Sequence, residues 1–336
     1  MNILITGGCG FLGARLARTL LKQEALSLAG EPARQIDRLT LTDRVPPPAD
    51  LAADPRVAFV QGDLLELAQA RSLPAAGTDL LFHLAAAVSG ECEADFDLGM
   101  RSNLDTTRAL LETSRALGST PTFVFASSLA VFGNAPGTAL PELIEDHTLP
   151  TPQSSYGIQK FIGEQLVADY ARKGYIRGRS VRLMTVSVRP GKPNGAASGF
   201  LSGMIREPLA GLKGACPVPR ETSVALASPA TTVDGIIRAA EATDMEWGPV
   251  TAMNLPSMRT TVGEMADALE RVGGKAATAL LDWTPDPDVL KLVKTWPGNV
   301  ASVRAKALGL QADQDFESVV REYIQENPGA VKLSVR

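Results

Sequence analysis

Tyr156 and Lys160 stand four residues apart in the stretch Thr151-Pro152-Gln153-Ser154-Ser155-Tyr156-Gly157-Ile158-Gln159-Lys160. On a helix that spacing puts a phenol and an ammonium one turn apart on the same face. A positive charge beside a phenol favours the phenolate, so Tyr156 is expected to have a depressed pKa and to serve as a general acid/base. Ile158, Ile162, Leu166 and Tyr170 recur every fourth residue. They predict an apolar stripe that holds a helix to about Arg172 against the body of the protein. The same pair on a plain surface helix would do no chemistry, so other parts of the chain must supply a cofactor and a partner.

The cofactor signal lies at the N-terminus. Asn2-Ile3-Leu4-Ile5-Thr6 is a short apolar run, followed by Gly7-Gly8-Cys9-Gly10-Phe11-Leu12-Gly13 and then by a helical pattern from Ala14 to Leu21. Strand, glycine turn and helix in that order form a dinucleotide-binding signature, with Gly7, Gly10, Phe11, Leu12 and Gly13 against the pyrophosphate. First-turn amides of the helix then face the anion. A second strand, Arg38 to Asp43, ends in an acid placed to accept hydrogen bonds from the adenosine ribose hydroxyls. An acid there repels a 2'-phosphate and favours NAD over NADP, although Arg44 beside it is suited to that phosphate. The long gap between glycines and acid implies an insertion around Ala29 to Gln35.

A third strand at Val57 to Val60 leads to Asp63 and Leu64, which either contact the adenine or start a helix as its N-cap. Thr78 to Ala87 reads as a fourth, buried strand whose small end, Leu84, Ala85 and Ala86, allows close approach of a cofactor. His83 within it reads as a core histidine. A helical pattern from Ala94 to Leu117 contains Asn103, an amide able to hold a water chain near Lys160. A fifth strand from Thr122 delivers Ser127 and Ser128 at its C-terminal end, where parallel sheets place their ligands. A sixth strand, Arg179 to Met184, precedes the basic loop Val188 to Gly195, where the regular repeat stops. Helices are predicted near 198–212, 231–243, 262–272 and 316–326.

Composition narrows the function classes. The chain has 336 residues, 45% of them hydrophobic and 21% charged, with a net charge of −4. No basic stripe is present, so nucleic acid is not an expected partner. Cys9, Cys92 and Cys216 are far apart and, with only His83 and His147, predict no metal site and no disulfide framework. No run approaches the length of a membrane span. A soluble cytoplasmic protein is expected.

Glycine turn, strand-end acid, helical Asn, strand-end Ser pair and Tyr-x-x-x-Lys, in this order, resemble the extended short-chain dehydrogenase/reductases of the NAD-dependent epimerase/dehydratase family. The resemblance is strong over about residues 1–190. It implies an α/β fold with a Rossmann-type doubly wound parallel sheet and a smaller C-terminal lobe. Residues 1–186 would bind NAD, with part of 225–260 returning to that domain, and 187–336 would mainly bind substrate. It also implies Tyr156 as acid/base, Lys160 as its electrostatic partner and ribose ligand, Ser128 as orienter of the reacting oxygen, and Asn103 in a proton relay. Ser127 would contact the cofactor and Ser89 the substrate.

Phe132 stands where the family often has Tyr, and Val224 to Pro229 lacks the basic and aromatic groups that bind a nucleotide diphosphate. The stretch from Leu183 to Gly195 with Ser198-Gly199-Phe200 is similar to the branch of the family that acts on four-carbon sugar acids such as D-erythronate. That likeness implies oxidation of the C2 hydroxyl to a 2-keto acid, with Arg189, Lys192 and Asn194 around the carboxylate. A nucleotide-sugar 4-epimerase with retained NAD is the alternative, and a non-catalytic NAD sensor a third. A homodimer through the helices around 101–117 and 156–172 is the family expectation.

Overall fold

The computed structural model describes residues 1–191 and 196–335. Its two larger sheets hold, in chain order, β1 (Asn2–Thr6), β2 (Arg38–Asp43), β3 (Val57–Gln61), β4 (Leu80–His83), β5 (Thr122–Ser128), β6 (Arg177–Leu183), β7 (Thr185–Val186), β8 (Ser223–Ala227), β9 (Met253–Asn254) and β10 (Met258–Thr261). Seven form one sheet in the order β9-β6-β5-β4-β1-β2-β3, all neighbours parallel. This is a doubly wound Rossmann-type sheet.

Strand residues alternate between two buried faces. Ile3, Ile5, Leu80 and Phe82 point to one core, which holds Leu16 and Leu20 of α1 (Phe11–Gln23) and Ile236 of a helix at Pro229–Glu241. Leu4, Leu81, Phe123 and Phe125 point to the other, shared with Leu110, Leu111 and Val167. Burial on both faces explains why these strands read as continuous apolar runs. Each such side chain contributes about 1.5–3 kcal/mol on leaving water.

The smaller lobe is built on a second sheet in which β8 pairs parallel with β7 and antiparallel with β10. Its core joins Leu201, Met204 and Ile205 to Met265, Leu269, Val319 and Val320. The strand β7 lies directly after β6, so the chain passes from the large sheet to the small one within two residues. Among the described residues no helix is long and apolar enough to cross a membrane, and no His, Cys, Asp and Glu cluster could hold a metal ion.

Several elements differ from their sequence expectation. The fourth strand stops at His83, and Leu84 to Ala87 lie beyond the sheet. The single helix expected over 94–117 is a series: α2 (Ser89–Ala94), a turn at Phe96–Gly99, a π-helical stretch at Met100–Asp105, and α3 (Thr106–Leu117). Asp95 causes the break, since its backbone is extended and its side chain accepts from Leu98 N at 2.9 Å as a new N-cap. The expected insertion is an antiparallel ribbon of Ala25–Leu26 with Arg34–Gln35.

The helix that carries Tyr156, α4 (Ser155–Arg172), is turned from its expected orientation. Ile158 and Ile162 are 46% and 36% exposed, while Gly157, Gln159, Lys160, Gly163, Glu164 and Val167 are buried. Glycines let this face lie close to β5, and its polar groups find partners there. Only Leu166 and Tyr170 of the stripe pack partly against the core.

Candidate active site

Ser154 caps α4 by accepting from Gly157 N at 3.1 Å, which fixes where the helix starts and so where Tyr156 sits. A Cβ on Gly157 would lie 2.1 Å from the carbonyl oxygen of Ala130, two residues beyond Ser128. Helix and serine loop therefore meet backbone to backbone. Lys160 is only 3% exposed; its Nζ donates to Ala126 O at 2.8 Å and lies 4.9 Å from the Phe125 ring and 5.7 Å from the Tyr156 ring. Burial pulls the Lys160 ammonium down to about 8.

The Tyr156 phenol behaves differently from its sequence expectation. Burial pushes its pKa up, and the Ser128 hydrogen bond and the Arg189 charge only partly offset this. Arg189, from the loop after β7, favours the phenolate from outside the helix, while Lys160 Nζ lies 5.7 Å from the Tyr156 ring and donates to Ala126 O.

Two consecutive serines at the end of β5 point in opposite directions, as strand geometry requires. Ser128 interacts with Tyr156, and its Oγ also accepts from Ala130 N at 3.1 Å. Ser127 is buried and donates to Glu164 Oε1 at 2.5 Å. Glu164 in turn accepts from Arg182 Nε and Nη2 at 2.9 and 2.8 Å. The Ser127 hydroxyl is thus engaged by a buried ion pair, while the residue also lines the cleft that holds Tyr156. Glu164 follows Lys160 by four residues, so the sequence did carry a signal for it: a third polar group on the same helix face.

Two clefts meet at the glycine turn. The first, about 450 Å³, is lined by Gly7, Gly10, Phe11, Leu12, Gly13, Leu84 and Ala86 together with Ser127, Ser128, Tyr156, Lys160, Ser89 and Arg189. The second, about 370 Å³, shares Gly7, Gly10, Leu84 and Ala86 and continues along Asp43, Arg44, Asp63, Leu64 and Ala85. A dinucleotide laid across the shared glycines would place one half in each. The turn is shaped for it: a Cβ on Gly13 would fall 2.1 Å from Gly7 O, and Gly10 caps α1 with no side-chain acceptor for the first-turn amides.

In the second cleft Asp43 accepts from Cys9 N at 3.1 Å and from Arg44 N at 2.7 Å. The Arg44 guanidinium turns away from Asp43 and pairs with Asp63 at 2.9 Å. Asp63 is also the N-cap of the helix Leu64–Gln69, accepting from Leu65 N at 3.0 Å. That helix start, and its ion pairs with Arg44 and Arg101, hold Asp63 below the usual carboxylate range, against the opposing effect of burial.

Asn103 sits in the π-helical stretch. Its Oδ1 accepts from Ala87 N at 2.8 Å, and its Nδ2 donates to Ala87 O, Cys92 Sγ and Gln159 Oε1. The amide pins the loop after β4 to α4. His83 is a core residue, its ring nitrogens 2.7 Å from Thr6 Oγ1 and 3.0 Å from Thr107 Oγ1, and burial pulls its pKa down to about 3.

Around Arg189 the first cleft is lined by residues of two connecting segments. Ser89 Oγ accepts from Ala197 N at 3.3 Å, joining α2 to the loop after Arg189. Arg189 donates to Val186 O at 2.9 Å and Ser198 Oγ at 3.0 Å, and among the described residues no carboxylate pairs with it. Lys192 and Asn194 lie outside the described residues. Leu292 and Trp296 complete the lining from far along the chain, with nothing in the local sequence to announce them.

The sequence profile of the NAD dependent epimerase/dehydratase family matches residues 3–224. The chain belongs to that family. Within it, the chain is 48% identical over 326 residues to D-erythronate dehydrogenase of Cupriavidus necator, covering 97% of this chain and 98% of the relative. It is 41% identical over 325 residues to D-erythronate dehydrogenase of Haemophilus influenzae, covering 97% and 99%. A crystal structure described as the nucleoside-diphosphate-sugar epimerase from Agrobacterium tumefaciens superposes with a TM-score of 0.89 at 40% identity, covering 98% of this chain and 95% of that one. As a member of the NAD dependent epimerase/dehydratase family the protein is an enzyme, and NAD is its cofactor.

Proposed function

We propose that this protein oxidises the C2 hydroxyl of a small sugar acid, D-erythronate, to the corresponding 2-keto acid. The observation that carries this reading is Arg189, a half-buried cation with no carboxylate partner among the described residues, in the same cleft as Tyr156 and Ser128. A substrate carboxylate would complete it. The names of the two near-full-length relatives support the same substrate.

Bound NAD supplies the hydride acceptor. Tyr156 accepts the proton of the substrate hydroxyl, and Ser128 holds that oxygen in line with it. Arg189 serves twice, holding the carboxylate and favouring the phenolate that starts the reaction. Lys160 binds a ribose hydroxyl of the cofactor in this reading, and Asn103 steadies the loop after β4. Lys192 and Asn194, on the same loop as Arg189, are proposed as further carboxylate donors. Gly7, Gly10, Phe11, Leu12, Gly13, Asp43, Leu64 and Leu84 to Ala86 hold the dinucleotide; Ser89 supports the substrate loop.

Residues 1–186, joined by Met253–Asn254, act as the NAD-binding unit, and the remainder chooses the acid. A homodimer through α3 and α4 is part of this reading, supported by the exposed Ile158 and Ile162 on α4, and a cytoplasmic location goes with it.

Incubating the protein with NAD and D-erythronate, and separately with UDP-galactose, tests the reading. NADH is expected from the acid and not from the sugar. The description of the Agrobacterium structure favours nucleotide-sugar epimerisation instead; UDP-glucose formed without net NADH would establish that alternative.

A further inference from the structure

The proposed chemistry needs a carboxylate anchor at one end of the substrate, and the same cleft has an apolar boundary supplied from far along the chain. Leu292 and Trp296 reach the cleft that holds Ser128, Tyr156 and Arg189. Leu292 lies in the last turn of the helix Pro287–Val293 and Trp296 in the bend just after it, where its backbone N–H donates to Val293 O at 3.0 Å; both line the same cleft. The segment that bears them is held at both ends. Asp286 caps its helix, Pro287–Val293, by accepting from Asp288 N at 2.9 Å and Val289 N at 3.2 Å. Asn134, six residues beyond Ser128, donates through Nδ2 to Lys294 O at 3.1 Å and through its backbone N–H to Thr295 O at 3.3 Å. Val289 and Leu290 pack on the core of the smaller lobe, and Trp296, which lines the cleft, is also partly packed against it. Hydrogen bonds thus tie this segment to the stretch that follows Ser128.

We propose that Trp296, with Leu292 beside it, is the specificity wall of the substrate site. It faces the chain end of an acid whose carboxylate is held by Arg189, and it limits that chain to about four carbons. The proposal rests on the sugar-acid reading above. The cleft of about 450 Å³ must also receive the reactive half of the dinucleotide, since Phe11, Leu12 and Gly13 share its lining. Little length remains for the substrate, and an apolar indole opposite a polyol end gives extra hydroxyls no partner. An apolar surface discriminates by about 10- to 200-fold for each methylene-sized unit it must reject.

The test measures kcat and KM of the wild type, Trp296→Ala, Trp296→Phe and Leu292→Ala with straight-chain sugar acids of four, five and six carbons. The thermal shift that each acid gives to the NADH-bound protein is read in parallel and needs no turnover. The wild type is expected to prefer four carbons. Trp296→Ala is expected to raise kcat/KM for six carbons relative to four by about tenfold or more, mainly through KM, with Trp296→Phe intermediate. Leu292→Ala, which leaves the indole in place, gives the same direction and guards against a misfolded Trp296 variant. An unchanged chain-length profile in folded variants overturns the wall while leaving the sugar-acid reading standing. Thermal shifts that follow chain length without turnover would support the wall and sink the proposed reaction. A wild type neither turned over nor stabilised by any of these acids overturns both.

Discussion

Ser127 donates its hydroxyl to Glu164 at 2.5 Å inside the protein, while its neighbour Ser128 faces Tyr156 in the cleft. One residue of strand separates a structural hydroxyl from a chemical one. Ser128→Ala is expected to lower kcat by about 10²–10⁴-fold with little change in stability. Ser127→Ala leaves a buried carboxylate short of a donor and is expected to cost about 1–3 kcal/mol of stability. Paired denaturation and steady-state measurements on the two variants check the assignment.

Tyr156→Phe removes the proton acceptor and keeps the ring. Turnover should fall by about 10²–10⁴-fold, and NAD should still bind, because the glycine turn and Asp43 are untouched. Titrating the variant with NADH by fluorescence while assaying turnover separates these two effects.

The pH dependence of oxidation follows from the phenol. Tyr156 must be deprotonated to accept a proton, and burial raises its pKa. The rate is therefore expected to rise with pH through the neutral and into the alkaline range. Arg189 favours the phenolate, so Arg189→Gln should move that rising limb to higher pH. It should also raise KM for the acid by about 10- to 100-fold, the worth of a charged hydrogen bond. A variant with a higher KM and an unmoved limb would separate Arg189 from the phenol.

His83 sets part of the acid stability. Its pKa is about 3 in the folded protein against an ordinary 6.5, so between those values the unfolded chain binds the extra proton. This contribution to stability is intact above about pH 6.5 and is lost as pH falls, by up to about 1.4 kcal/mol per unit. His83→Gln should give a shallower fall in stability between pH 6.5 and 4, measured by urea unfolding at each pH.

Asp43 is proposed to set cofactor choice, Arg44 being paired with Asp63 at 2.9 Å. Asp43→Asn is expected to narrow the preference for NAD over NADP by about tenfold, the effect of removing one unfavourable charge contact. The ratio of kcat/KM values for the two cofactors measures it.

Much of the site could be read from the chain because its signals are local. The glycine turn, the acid closing β2, and Tyr156 with Lys160 each occupy a single strand end or helix turn. The orientation of α4 was not legible, since an apolar stripe normally faces inward and only the folded sheet shows that Glu164 and Lys160 have buried partners. Nor was the part of Arg189, which favours the phenolate from a loop distant in sequence that lines the same cleft. Leu292 and Trp296 were invisible for the same reason. Their place depends on Asn134, some 160 residues earlier.

The close approach of Gly157 to the Ala130 carbonyl bears on how this enzyme can evolve. Every single-base change of a glycine codon that alters the residue adds a Cβ, and here that atom would meet a backbone oxygen that cannot rotate away. Position 157 therefore has no neutral neighbours in sequence space. Lineages can redesign the loop around Arg189 and the wall at Trp296 to reach new acids, but they must carry the junction between helix and serine loop forward unchanged.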